Sequence, residues 1–129
     1  MKLLLKIVLT VVILFVLVAG GGIFYISRGL EAGEALEINS IDLAGLSDGA
    51  YSGAYNGGRW TNEVKVMVKE HRITGIEIVR DVMFPKPEVT AELIGRVLEK
   101  QSPDIDAVSG STVTCKAYLK SIENALGQK

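Results

Sequence analysis

The sequence predicts an α+β domain, a small antiparallel sheet with helices packed on one face, preceded by one N-terminal transmembrane helix. Three observations predict it. Ile7 to Ile26 is a 20-residue stretch without a charged side chain. Val64, Val66 and Val68 alternate with polar residues, and Ile76 and Ile78 answer them beyond a turn. Two later segments each gather their apolar residues on one helical stripe. Strands first and helices afterwards is the order of a segregated α+β fold.

The first element follows from length and hydropathy. At 1.5 Å per residue, about 20 apolar residues span a bilayer core of roughly 30 Å. Inside lipid the backbone of a single segment satisfies its own hydrogen bonds only as a helix. Lys2 and Lys6 precede the span, Arg28 is the only cation close after it, and Glu31, Glu34 and Glu37 follow. The positive-inside rule places the N-terminus in the cytoplasm and the remainder on the outer face of the cell membrane, as a single-pass protein. A cleaved signal peptide is the competing reading, because Ala19-Gly20-Gly21-Gly22 offers small residues to a peptidase. The apolar run continues through Ile23, Phe24, Tyr25 and Ile26, longer than a signal core, and this favours an uncleaved anchor over residues 1–28. Both readings export the domain; cleavage would give a secreted form.

Residues 29–46 read as a stalk interrupted by Gly29, Gly33 and Gly45, and residues 47–129 as the folded domain. Asp48-Gly49 is a turn signal. Ala50 to Tyr55 is a short strand, and Asn56-Gly57-Gly58 is a turn in which glycine adopts positive φ at low cost. Glu63 to Lys69 has a period of two, with the valines on one side and Lys65 and Lys69 on the other, which argues a half-buried strand. Glu70-His71-Arg72 closes a hairpin, and Ile73 to Val79 returns. Pro85-Lys86-Pro87 breaks the chain. Val89, Leu93, Ile94, Val97 and Leu98 then form one helical stripe, ended by Gln101-Ser102-Pro103. A second helix runs from about Thr112 to Leu126 with Cys115, Leu119, Ile122 and Leu126 on its apolar face, and Gly127 stops it.

Composition excludes several functions. The net charge is −1, and beyond Lys6 the chain carries 12 Lys and Arg against 15 Asp and Glu. Without a basic patch, nucleic acid is not an expected partner. The single cysteine, Cys115, allows no intrachain disulfide and no cysteine-based metal site. The single histidine, His71, falls in a turn and reads as a solvated residue.

One loop carries chemistry. Asp106-Ala107-Val108-Ser109-Gly110-Ser111-Thr112-Val113-Thr114 is a polar, glycine-containing turn that feeds a helix N-terminus. The first amides of a helix lack intrahelical acceptors, and they attract phosphate. Ser109, Ser111, Thr112 and Thr114 add hydroxyl donors, and Gly110 lets the backbone approach a ligand. Plain N-capping by Ser or Thr is the alternative, and the residues by themselves leave both open.

This segment resembles the flavinylation motif of FMN-binding domains: Asp, two variable residues, Ser or Thr, Gly, a small residue, Thr. Asp106, Ser109 and Gly110 fill their positions, and Ser111 stands where alanine is commoner. Asp48-Gly49-Ala50-Tyr51-Ser52-Gly53 resembles the usual domain start, and the resemblance covers roughly Ser47 to Leu126. Relatives of this kind include subunits of sodium-pumping and related membrane electron-transfer complexes. The resemblance implies FMN as cofactor, joined by a flavin transferase as a phosphoester to the Thr112 hydroxyl. It further implies an electron carrier rather than an enzyme with its own substrate, with a membrane redox donor and an extracytoplasmic acceptor as partners; the lipid bilayer is the partner of the N-terminal span. Tyr51, Tyr55, Trp60, Met83 and Phe84 are candidates for the flavin's apolar walls, with core packing as their alternative role. Lys116, one turn into the helix, is a candidate to neutralise the phosphate. The rival expectations are a module that binds FMN without a covalent bond and a non-redox interaction domain of the same fold.

Overall fold

The computed structural model of the chain describes residues 1–27, 30–108 and 110–127. An apolar helix α1 (Lys2–Ser27) comes first, followed by the short α2 (Leu30–Glu34) and a 3-10 turn at Leu43–Gly45. Strand β1 (Gly49–Tyr55), a 3-10 turn at Gly58–Trp60, β2 (Asn62–Lys69) and β3 (Arg72–Arg80) lead to α3 (Pro87–Lys100) and α4 (Thr112–Leu126). No residue of α1 is buried, and its length and hydropathy suffice to cross a membrane, a property that anchors and signal sequences share.

The sheet is antiparallel with strand order β1-β2-β3. Its register pairs Gly53 with Val64 and Val64 with Ile78. One face therefore carries Val64, Val66 and Val68, which are buried together with Ile73. Lys65 and Glu77, paired on the other face, stay in or near solvent. This is the alternation expected of an antiparallel sheet that covers one core. The β2–β3 turn holds Glu70 and His71 at φ 53° and 62°. Both central residues thus have the left-handed conformation that tight hairpins demand, without the glycine that favours it. Asp48 stabilises this turn by accepting the Glu70 amide at 2.8 Å, and His71 Nδ1 lies 3.3 Å from the Leu43 carbonyl.

Helix α4 lies on the apolar face of β1 and β2. The approach is close at Gly53, where a Cβ would collide with the Ser121 carbonyl and the Ala125 amide. Glycine is needed here for space, since its φ is ordinary. Cys115, Leu119, Ile122 and Leu126 are buried in the core, as their spacing predicts, and Leu93 and Val97 of α3 join them. A polar latch crosses this core. The buried Ser121 hydroxyl donates to Asn62 Oδ1 at 2.6 Å, and Asn62 Nδ2 donates to the Trp60 carbonyl at 3.0 Å. Gln101 ends α3 at φ 59°. Its side-chain amide pairs with the Ile73 backbone, accepting from N–H at 2.6 Å and donating to C=O at 3.0 Å.

Residues before β1 also pack on the domain. Leu46 is buried, and Ile38, Ile41 and Leu43 rest against the core. Glu123 Oε1 accepts both donors of Asn39, at 3.0 and 2.9 Å, while Lys120 pairs with Oε2 at 2.6 Å. Burial pushes the Glu123 carboxyl up, but the Lys120 ammonium and the Asn39 donors outweigh burial and hold it below the usual range.

Candidate functional site

The N-terminal turn of α4 opens into a cleft of about 440 Å³, within the size range of small-ligand sites. Gly110, Ser111, Thr112, Val113 and Thr114 form its floor. Gly110 has φ +82°, so the loop turns into the helix through a conformation other residues resist. Ser111 is the N-cap residue but makes no side-chain capping hydrogen bond. It is buried, whereas Thr112 beside it is exposed. An exposed hydroxyl-bearing residue therefore stands at the positive end of a 15-residue helix. From inside, the loop is held by Cys115, whose Sγ accepts the Val108 amide at 3.4 Å. Burial pushes the Cys115 thiol above its ordinary value, so it packs as a neutral small hydrophobe.

The opposite wall comes from distant parts of the chain. The Gly58–Trp60 turn contributes Arg59 and Trp60, and the β3–α3 connection contributes Phe84 and Lys86. The Arg59 guanidinium lies 4.2 Å from the Trp60 ring centroid and 5.5 Å from that of Phe84. Such stacking fixes a cation on an aromatic wall. The Met83 amide donates to the Arg59 carbonyl at 2.9 Å and ties the two loops together. Arg59 Nε is buried and has no hydrogen-bond partner among the described residues. An unsatisfied buried donor is costly, and here it lines the same cleft as the helix amides. Two cations, an aromatic wall and free helix amides suit a ligand that joins an anion to a flat ring.

The family comparison agrees with this chemistry. The family model of the FMN-binding domain matches residues 57–127. The chain belongs to the FMN-binding domain family. Membership gives FMN as the cofactor, and the residues of the cleft fit it: helix amides, Arg59 and Lys86 for a phosphate, Trp60 and Phe84 for a ring. No curated protein matches the chain.

Within this FMN-binding domain the expected residues divide. Gly110, Ser111, Thr112 and Thr114 lie together in the cleft. Ser109 lies outside the described residues. Asp106 is exposed and faces a broader depression of about 520 Å³ beside Arg96, Glu99, Lys100 and Ile105. That depression is larger but has no aromatic wall and no helix N-terminus, so the chemistry favours the smaller cleft. Tyr51 and Tyr55 are partly buried against the core, and the Tyr51 hydroxyl donates to the Ser47 carbonyl at 2.6 Å. Met83 is 49% exposed and contributes its backbone to Arg59 rather than a wall. Lys116 donates to the Glu34 carbonyl at 2.6 Å. Arg59, Lys86, Leu30 and Glu34 line the cleft without having been singled out from the sequence. For Arg59 a signal existed: a cation and an aromatic residue directly after the Gly57-Gly58 turn.

Proposed function

We propose that this chain is a membrane-anchored, extracytoplasmic electron carrier whose FMN is joined by a phosphoester to Thr112. The observation that carries the reading is the exposed Thr112 at the first position of α4, inside the cleft and at the end of the Asp106-to-Thr112 pattern. Attachment would form a bond between Thr112 Oγ and the FMN phosphorus of FAD. It breaks the pyrophosphate bridge, releases AMP and frees the hydroxyl proton. A flavin transferase supplies that step.

FMN supplies the redox chemistry; the chain supplies position and electrostatics. The α4 amides and Arg59 would hold the phosphate end. Trp60 and Phe84 line the cleft and would offer the ring an apolar wall. Covalent attachment removes the repeated entropy cost of binding, which suits a domain outside the cell. Lys2 and Lys6 before the span support that orientation. A membrane donor and an extracytoplasmic acceptor are the partners on this reading.

In-gel flavin fluorescence after denaturing electrophoresis tests it, with the chain co-expressed with a flavin transferase. The wild-type band is expected to fluoresce and the Thr112→Val band to be dark. Colour that washes out on denaturation in both would leave FMN bound without a covalent link.

A further inference from the structure

The family match begins at residue 57, yet the cleft has a wall that lies before it. Leu30 and Glu34 of α2 line the cleft beside Gly110 to Thr114. Building on the flavin reading above, we propose that α2 closes one side of the flavin cleft and so holds the cofactor at the bilayer surface.

Contact between α2 and α4 is specific. Gly33 is buried, and a Cβ on it would lie 2.5 Å from Val113 Cγ1. A side chain at residue 33 would lift α2 off the first turn of α4, the turn that carries Thr112. Lys116 clasps the same helix from below by donating to the Glu34 carbonyl at 2.6 Å. This places a cation at the last carbonyls of α2, where it is favourable. The attachment continues along α4: Lys120 donates to the Glu37 carbonyl at 3.3 Å, and Asn39 donates to Glu123. At the rim, Leu30 is 37% and Phe84 54% exposed. Apolar surface left open on two sides of a cleft is what a flat aromatic ligand would cover.

The tether to the membrane is short. Helix α1 ends at Ser27 and α2 begins at Leu30. Three Cα steps of an extended chain reach at most about 11 Å. With the charge-free run to Ile26 filling the bilayer, Ser27 lies at its edge and Leu30 follows within that distance. A free stalk would let the domain range outward. Docking of α2 on α4 removes that freedom and fixes the Thr112 cleft close to the lipid headgroups.

The test uses the flavinylated full chain in vesicles, with signals normalised to covalently bound flavin. Headgroup-nitroxide lipid and aqueous iodide are the two quenchers. Wild-type flavin is expected to be quenched by the nitroxide and shielded from iodide. Gly33→Leu should gain iodide access and lose nitroxide quenching, and Lys116→Met should shift both in the same direction by less. Thermal melting reports whether each variant folds; if Gly33→Leu does not, Lys116→Met decides. A folded variant with wild-type iodide access overturns α2 as a wall. Wild-type flavin that headgroup nitroxide leaves unquenched overturns the surface placement. A wild-type band without in-gel fluorescence would instead overturn the Thr112 linkage on which the proposal rests.

Discussion

The two ends of α4 do different work. From Cys115 to Leu126 the helix is mostly interior, and Ala117, Leu119, Ile122 and Ala125 are at most 1% exposed. Its first turn is divided: Val113 is buried, but Thr112 is exposed and Thr114 is half-buried in a cleft. The interior end is specified by apolar period and holds the sheet. At the outer end Val113 packs inward and against Gly33, while Thr112 and Thr114 beside it line the cleft and are open to a ligand. Changes at Thr112 should alter the cofactor without altering the fold, and changes at the inner end should do the reverse.

The sharpest way to break this comparison is Thr112→Val. Covalent flavin should be lost completely, while stability in urea should stay within about 0.5 kcal/mol, as for other surface substitutions. Ile122→Ala at the other end should cost about 2–5 kcal/mol, from lost burial and the cavity left behind. Urea titration checks the cost, and whatever protein remains folded should still fluoresce in the gel. A dark but stable Ile122→Ala band would mean that the two ends are not separable.

The outer end also needs a partner that α4 does not supply. Arg59 stands on Trp60 across the cleft with its Nε unpartnered among the described residues. In a Thr112→Val background titrated with free FMN, Arg59→Met should weaken binding by about 1–2 kcal/mol, a factor of roughly 5 to 30. Fluorescence titration measures this directly. Unchanged affinity would place the ligand on the α4 side alone.

The same contrast explains what could be read from the sequence. The inner end of α4 was legible because burial imposes a period: Cys115, Leu119, Ile122 and Leu126 mark it, and Val64, Val66 and Val68 mark the sheet they cover. The floor of the cleft was legible through the Gly110-to-Thr114 segment, which is continuous in sequence. The opposite wall was not. Arg59, Phe84 and Lys86 meet only after the sheet has formed. Helix α2 was hidden by Gly33, which reads as a helix breaker, yet a Cβ there would press on Val113 at 2.5 Å, so glycine serves the close approach of α2 to α4. Glu70 and His71 gave no glycine or asparagine signal for their positive φ, and the support for that turn comes from Asp48.

The smallest effect is expected at Tyr118, inside the core end of α4. Its hydroxyl donates to the Asp81 carboxylate just after β3. Burial first, then the hydrogen bond to Asp81, push the Tyr118 pKa from 10.0 to about 12. The folded state thus holds this proton more tightly than the unfolded chain. The resulting stabilisation is complete below pH 10 and is lost as the pH rises toward 12. At pH 11 roughly 1 kcal/mol should have gone. Tyr118→Phe removes the hydroxyl and with it this dependence. The stability advantage of wild type over Tyr118→Phe should therefore be constant from pH 7 to 9 and shrink by pH 11. Paired urea titrations at the three pH values measure it. An advantage that stays flat to pH 11 would mean that the hydroxyl is solvated, and that the core end of α4 is wetter near Asp81 than its burial indicates.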